Sequence, residues 1–253
     1  MTFEELKKLL SFSDSASVEA RWVMDENLSD SDIYKIIKRQ KMGEPLSKIL
    51  GHRGFWRGDF IVDENVLDPR ADSETLIQAV LEKFPDKNQS LRILDFGTGS
   101  GCLLISLLME YKKAKGVGVD ISPKALQIAQ KNTLKNGVRA DFVCADMGNL
   151  PQDIGDFDIV ISNPPYIPTQ EIETLDKNVK DYDPLLALDG GKDGLKFYRI
   201  IAENTSAPVV FLEIGKGQEK EVQEIFEEKN WCFGGAKKDF GGIVRVMIFK
   251  KDL

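Results

Sequence analysis

Asn163-Pro164-Pro165-Tyr166 is the stretch of this sequence whose residue types and order could do chemistry. It follows Asp158-Ile159-Val160-Ile161-Ser162, an apolar run that predicts a buried strand. An open α/β sheet binds its ligands at the C-terminal ends of its strands, which is where this turn would lie. Two prolines fix φ and remove two N–H donors, so the carbonyls of the turn are held outward and unpaired. The Asn163 side-chain oxygen and the Pro164 carbonyl could then each accept one hydrogen of a single –NH2 group. Tyr166 would lay a flat face against a planar amide or base. Such a nitrogen is a poor nucleophile, because its lone pair is delocalised into a π system. Two acceptors gripping both hydrogens favour pyramidalisation and aim the lone pair at an electrophile. The rate would come from proximity and electrostatic preorganisation, without a strong base. The only histidine, His52, and the three cysteines all lie elsewhere in the sequence. Without a cofactor site nearby, the four residues could equally be a rigid turn.

A second motif supplies that site. Asp95-Phe96-Gly97-Thr98-Gly99-Ser100-Gly101 ends about 62 residues before Asn163, where a strand turns into a helix. Glycines permit the tight turn and let backbone N–H groups approach a ligand. Many cofactors use such a loop. The spacing here is Gly-x-Gly-x-Gly, not the Gly-x-Gly-x-x-Gly of dinucleotide folds, and Asp95 stands two positions before the first glycine. This version resembles the loop that takes the amino-acid end of S-adenosylmethionine, whose sulfonium methyl would be the electrophile. Asp120 ends the next strand, 23 residues after Gly97, and could accept both ribose hydroxyls. It could instead cap the helix that begins at Pro123, a job open to Ser122 as well. Ile121 follows it, and Asp146-Met147 after the third strand falls where such folds hold the adenine.

These motifs need elements to position them. Phe3, Leu6, Leu9 and Leu10, then Val18, Trp22 and Val23, then Ile33, Ile36 and Ile37, recur at helical spacing and predict three short helices. Ser29 or Asp30 caps the third, and Gly43-Glu44-Pro45 stops it. Phe55–Val62 reads as a β-hairpin around a polar, Gly-containing turn. A helix over 73–84 follows, capped near Asp72 or Ser73. From Leu91 strands (91–96, 116–120, 139–144, 157–162, 208–214) alternate with helices (102–111, 123–136, 195–204, 217–229). The strands at 231–237 and 243–250 have no helix between them, so the last pair should be antiparallel. Alternation of this kind builds a doubly wound parallel sheet. A terminal hairpin at its edge resembles Rossmann-like methyltransferases. The fold class expected is therefore α/β: a Rossmann-like class I methyltransferase with a seven-stranded, mostly parallel sheet, its C-terminal hairpin antiparallel, behind a small helical N-terminal domain.

The 253 residues carry 34 basic and 41 acidic side chains, a net charge of −7. No apolar run approaches the roughly 18–20 residues of a membrane span, and no apolar h-region follows the N-terminus, so neither membrane insertion nor secretion is expected. Cys102, Cys144 and Cys232 form neither a disulfide framework nor a metal knuckle, which favours a reducing, cytoplasmic setting and no metal. The charge is unevenly spread. Residues 35–57 carry seven basic side chains against Glu44 alone, whereas residues 58–253 are net −8. That balance argues against a surface that tracks nucleic-acid phosphates. The basic stripe is either a solvated face or a docking surface that steers an acidic partner.

Taken with their flanks, the motifs resemble one family, the protein-(glutamine-N5) methyltransferases of peptide-chain release factors. The resemblance runs from about Gly43 to Val246. Its further markers are Gly43-Glu44-Pro45-Leu46, Ile49-Leu50-Gly51, Phe55-Trp56 and Asp183-Pro184. Ala187-Leu188-Asp189-Gly190-Gly191, Asp193-Gly194-Leu195 and Leu212-Glu213-Ile214-Gly215 complete the set. It implies methyl transfer from S-adenosylmethionine to the glutamine amide of the Gly-Gly-Gln motif in release factors, by a monomer that touches no nucleic acid. It also implies a division into a helical docking domain (1–52), a hairpin hinge (53–66) and a methyltransferase domain (67–253). Phe96, Gly97, Thr98, Gly99, Ser100, Gly101, Asp120, Ile121, Met147 and Asn163 would contact the cofactor. Asn163, Pro164, Pro165 and Tyr166 would hold the glutamine, with Asn163, Pro164 and Tyr166 catalytic. The sequence departs from the family's usual loop, Leu-Ile-Pro-Arg-Pro-Asp/Glu-Thr-Glu, at Asp68 and Ala71, and carries Asp183 where Glu is usual. Asn-Pro-Pro-Tyr also occurs in adenine-N6 methyltransferases, so nucleic-acid methylation is the alternative; a nicotinamide oxidoreductase and a non-catalytic binding module remain further readings.

Overall fold

The computed structural model describes residues 1–251. Four helices open the chain: α1 (Phe3–Leu9), α2 (Ala16–Asp25), α3 (Asp30–Lys41) and α4 (Leu46–Leu50). Thr2 and Glu5 form a reciprocal capping box on α1, and Ser29 caps α3 by accepting from the Asp32 N–H. Their apolar stripes close on one another around Leu6, Leu10, Val23 and Ile37. The fourth helix goes beyond the three expected. Pro45 stops α3 from continuing but suits the entry to a new helix, which Gly51 ends in the left-handed conformation at φ 78°.

Strands β1 (His52–Phe55) and β2 (Gly58–Ile61) make the hairpin, with Trp56-Arg57 as its two-residue turn. The turn falls earlier than the expected Gly-containing stretch because Trp56 is pinned there at φ 53°. Its backbone N–H donates to Glu74 (2.7 Å) and its indole N–H to Glu110 (2.9 Å).

A 3-10 turn (Ala71–Ser73) leads into α5 (Glu74–Lys83), followed by β3 (Arg92–Phe96), α6 (Cys102–Glu110), β4 (Lys115–Asp120) and α7 (Pro123–Lys135). Then come β5 (Asp141–Cys144), β6 (Ile159–Ser162), α8 (Lys177–Lys180), α9 (Lys196–Asn204), β7 (Val209–Glu213), α10 (Glu219–Glu227), β8 (Trp231–Lys238) and β9 (Val244–Lys251). From α5 onward each expected element is present with ends shifted by no more than two residues; α8, in the long β6–α9 connection, is an addition.

The sheet runs β5-β4-β3-β6-β7-β9-β8, with the first five strands parallel and β9 antiparallel to both neighbours. Alternate residues of the central strands serve opposite faces. Ile93, Ile159 and Ile161 pack with Ile77, Leu104 and Ile105 of α5 and α6. Leu94, Val160 and Leu212 pack with Tyr198, Val222 and Phe226 of α9 and α10. Burial on both faces is why these strands read as continuous apolar runs.

The hairpin is sewn to the large unit by side chains imitating a strand. Asn132 and Asn136 lie one turn apart on the same face of α7. Asn132, fully buried, accepts from the Ile61 N–H (2.7 Å) and donates to the carbonyls of Ile61 (3.1 Å) and Ser100 (2.9 Å). Asn136 accepts from the Asp59 N–H (3.1 Å) and donates to its carbonyl (3.0 Å). Each amide offers an acceptor and two donors, which is what an exposed strand edge lacks. Replacing Asn132 by Ala orphans three backbone groups. The Asn132→Ala protein is expected to lose about 2–3 kcal/mol in urea unfolding at unchanged m-value; a wild-type midpoint would show that the ladder is dispensable.

Candidate active site

The glycine loop turns over the C-terminal end of β3. Gly97 and Gly99 sit at φ 65° and 55°, a region costly for any residue with a Cβ. Beneath the loop the Thr98 hydroxyl donates to Asp95 (2.7 Å), whose carboxyl burial pushes up to about 7. Asp120 closes β4 with one oxygen accepting from the Gly99 N–H and the other from the Ser122 N–H, both at 2.9 Å. Ser122 itself caps α7 by accepting from the Ala125 N–H (3.2 Å), so Asp120 is free of that duty. Each carboxylate oxygen retains a lone pair for a further donor.

A cleft of about 430 Å3 opens at this point, inside the roughly 300–1,000 Å3 range of small-molecule sites. Gly97, Gly99, Asp120, Ile121, Ala145 and Met147 form its walls, and Asn163 with Pro165 close one end. Val66, Leu67, Pro184 and Leu186 border it from two loops outside the sheet. Phe96, Thr98, Ser100 and Gly101, expected at the cofactor, are not among the lining residues. Phe96 is fully buried in the core, Thr98 and Ser100 are buried, and Gly101 abuts Ile105 of α6. They shape the loop from behind. The residues that do line the cleft fit S-adenosylmethionine: open glycine backbone, a carboxylate set for a diol, and Ile121 and Met147 as apolar sides for a base.

At the end of the cleft, Ser162 ties β6 to β3 by donating to the Phe96 carbonyl (2.7 Å), and Asn163 leaves the sheet. Its Nδ2 donates to the Ser73 hydroxyl (3.2 Å). That engagement explains why Ser73 does not cap α5, as the sequence predicts. Among the described residues nothing donates to Asn163 Oδ1 or to the Pro164 carbonyl. Tyr166 faces a second hollow of about 500 Å3, bordered by Pro168, Leu175, Leu195 and Lys216. The motif therefore stands as a wall between two spaces, not around one. Burial pushes the Tyr166 phenol up to about 12, so it is neutral at physiological pH.

Two residues outside the expected set lie beside this wall, and Gln218 braces it. Gln218 donates to the Tyr166 carbonyl (3.0 Å) while accepting from the Gly215 N–H (2.9 Å) and the Tyr198 hydroxyl (3.2 Å). Glu213, buried at the end of β7, has its carboxyl pushed up to about 7 by burial, against the opposing pull of Ser73, Arg245 and Asn163. An acidic residue inside an apolar strand, at the sheet end where ligands bind, was the available signal for Glu213. Gly190 and Gly215 pack against Tyr166 so closely that a Cβ would come within 2.8 Å of its Cα and 3.1 Å of its ring, respectively.

The loops bordering the cleft meet in a charge cluster. Asp183 faces Arg70 (2.6 Å) and Lys48 (3.3 Å), and accepts from the Asp68 N–H (3.2 Å). Lys48, on α4, also donates to the carbonyls of Asp63 (2.7 Å) and Val66 (2.5 Å). Asp68 accepts from the Ser47 hydroxyl (2.7 Å) and faces Arg53 (3.4 Å). The basic stripe is thus largely paired within the chain, although of its side chains with ion pairs only that of Lys48 is buried. Lys35 pairs with Asp32, Arg39 with Glu44 and Arg57 with Glu110, so Lys38 and Lys41 alone of the seven carry no ion pair among the described residues. The same residues contain no group of His, Cys, Asp and Glu that could hold a metal ion.

A glycine loop after β3 and a carboxylate at the end of β4, on this sheet order, define a class I, S-adenosylmethionine-dependent methyltransferase. The family profile described as "Methyltransferase domain" matches residues 93–182. The fold is shared with a T. thermophilus 16S rRNA N2 methyltransferase solved with AdoMet and guanosine (TM-score 0.55, 20% identity, 77% of this chain and 47% of that one). Sequence is more specific. The release factor glutamine methyltransferase of Agrobacterium fabrum is 40% identical over 87% of this chain and 78% of its own. That of Rhodospirillum rubrum is 42% identical over 85% and 67%. The chain belongs to the release factor glutamine methyltransferase family.

Removing Asp183 leaves the Lys48 ammonium, 5% exposed, without its counter-charge. Asp183→Ala is expected to cost about 3 kcal/mol of folding stability and to weaken S-adenosylmethionine binding, since the loops it joins both border the cleft. Chemical denaturation and calorimetric titration check the two effects; unchanged affinity in a destabilised protein would separate the cluster from the cleft.

Proposed function

We propose that this chain transfers a methyl group from S-adenosylmethionine to the side-chain nitrogen N5 of the glutamine in the Gly-Gly-Gln motif of peptide-chain release factors. The observation that carries the reading is a pair of acceptors without donors among the described residues: Asn163 Oδ1, on a residue lining the end of the cleft, and the carbonyl of Pro164, next to it in the chain. The donor supplies a sulfonium methyl that any suitably aimed lone pair attacks. Gly97, Gly99, Asp120, Ile121 and Met147 hold it, Asp120 by the ribose hydroxyls. Asn163 and Pro164 each accept one N–H of the glutamine amide, fixing its plane and turning its lone pair toward the cleft. Pro165 stiffens the turn, and Tyr166 flanks the substrate from the second hollow. No base is called for before transfer, and one N–H proton leaves to solvent afterwards.

Residues 1–52 serve in this reading as the docking module and 53–66 as the hinge to the methyltransferase unit of 67–253. Lys38 and Lys41, exposed and without an ion pair among the described residues, are the part of the basic stripe left to meet an acidic protein surface. We read the protein as a cytoplasmic monomer that makes no contact with nucleic acid. Among the described residues no helix is long and apolar enough to cross a membrane.

Purified protein, labelled S-adenosylmethionine and unmodified release factor should place label in the Gly-Gly-Gln peptide. Label in RNA or DNA alone would reverse the assignment. Asn163→Ala is expected to bind the donor normally and lose turnover by about 10²-fold or more, the usual cost of one preorganised polar contact. Asp120→Ala should do the opposite, raising the donor Kd with a smaller change in kcat at saturation. Charge reversal at Lys38 and Lys41 together should raise KM for the release factor and flatten its salt dependence; insensitivity of both would make those lysines a solvated face.

A further inference from the structure

The stiffness of Asn-Pro-Pro-Tyr is uneven along its length. The rings of Pro164 and Pro165 fix their own φ, and a residue before proline is confined to extended ψ, which covers Asn163 and Pro164. The free torsions are left at the far end: ψ of Pro165 and both angles of Tyr166. At the near end Ser162 is tied to β3 through the Phe96 carbonyl. Just past the far end, the Ile167 backbone bonds the Leu188 carbonyl (3.1 Å) and the Gly190 N–H (2.8 Å). Both partners lie in the same β6–α9 connection, so these bonds tie the connection to itself. Gln218 fastens the far end to the sheet. It follows β7, and its Nε2 donates to the Tyr166 carbonyl at 3.0 Å, the one donor to that oxygen among the described residues.

Backbone groups decide which end of the Gln218 amide faces Tyr166. The Gly215 N–H can only donate, and it meets Oε1 at 2.9 Å; the Tyr198 hydroxyl meets the same oxygen at 3.2 Å. Nε2 is thereby turned toward a carbonyl, which can only accept. Gln218 stands at the N-cap position of α10 yet makes no capping bond with its side chain. Its amide is committed to the motif and not to the helix. The Gly215 backbone it grips is also the surface on which the Tyr166 ring rests.

We propose that Gln218 is a positioning residue for methyl transfer: its amide N–H pins the Tyr166 carbonyl and so holds the Pro164 carbonyl where the substrate amide needs it. The inference rests on the reading that Asn163 Oδ1 and the Pro164 carbonyl grip the glutamine amide. A turn held only at Asn163 pivots there and carries the Pro164 carbonyl with it. Gln218 borders the second hollow and not the donor cleft, so its effect falls on the chemical step and not on donor affinity.

The test compares wild type, Gln218→Met, Gln218→Glu and Asn163→Ala at pH 8, with saturating S-adenosylmethionine and varied release factor. Met keeps the length of the side chain and makes none of the three bonds. Glu, ionised, keeps both accepting bonds and loses only the donor. Were Gln218 needed merely to hold the turn after β7, Glu would be the milder change. The opposite order is expected, because a carboxylate set against the Tyr166 carbonyl repels it. Gln218→Glu should lose kcat by about ten- to a hundredfold, and by no less than Gln218→Met, since a misplacement of about 1 Å costs up to about 10² in rate. KM for release factor and Kd for the donor should stay within about twofold of wild type in both. If one variant fails to melt as wild type does, the other carries the test through its kcat and KM. Wild-type kcat in either variant, a smaller loss in Gln218→Glu than in Gln218→Met, or a raised KM at unchanged kcat would overturn the inference while leaving the role of Asn163 standing. Full turnover in Asn163→Ala would overturn that role and this inference with it.

Discussion

Leaving hydrogen-bond acceptors without partners at the end of a packed sheet runs against the strongest regularity of protein interiors, and here two stand unpaired side by side. The Asn163 oxygen and the Pro164 carbonyl can be kept open only if every alternative donor is removed or occupied. Two prolines remove the local ones. Gln218 occupies the next carbonyl, that of Tyr166, and binds it to the turn after β7. Ser73 takes up an Asn163 amide hydrogen. Glycines at 190 and 215 let neighbouring backbone press against Tyr166 without side chains in the way. The open pair is the constraint, and residues from four separated stretches of chain answer to it.

Those stretches depend in turn on the junction with the helical unit. Loop 62–70 and the segment around Asp183 border the cleft but belong to no sheet strand. Their anchors are on α4 and the hairpin: Lys48 reaches Asp63, Val66 and Asp183, and Ser47 and Arg53 reach Asp68. The hairpin is fastened to α7 through Asn132, which also grips the Ser100 carbonyl in the glycine loop. The helical unit therefore contributes to the shape of the donor cleft, besides any part in docking.

How far the sequence disclosed this varies with the range of the interaction. The sheet and its helices follow from apolar periodicity, a local signal, and the glycine loop and Asn-Pro-Pro-Tyr announce themselves by spacing. The contact of Ser73 with Asn163 does not, because the two are 90 residues apart and meet only in the fold. Ser73 even carried the wrong local meaning: a serine ahead of a helix reads as a cap, whereas its hydroxyl is committed to Asn163. Likewise the stripe at 35–57 is a true excess of positive charge along the chain, yet most of it is matched across the fold by Asp32, Glu44, Asp68, Glu110 and Asp183. Charge counts by segment are blind to partners elsewhere.

The two departures from the family's usual loop become one once their contacts are known. A carboxylate at position 68, in place of an apolar side chain, would be an isolated buried charge and would cost several kcal/mol. Here Ser47 and Arg53 meet it, while its backbone N–H donates to Asp183. Asp183 is shorter by one methylene than the usual glutamate, and its other oxygen bonds Arg70 directly at 2.6 Å. Asp68 is thus linked through its side chain to the helical unit and through its backbone to the segment flanking the cleft. Ala71, where the family's usual loop has proline, begins the 3-10 turn that delivers Ser73 to Asn163. The departures at Asp68 and Asp183 are therefore what tie the loop to the helical unit and to the segment flanking the cleft.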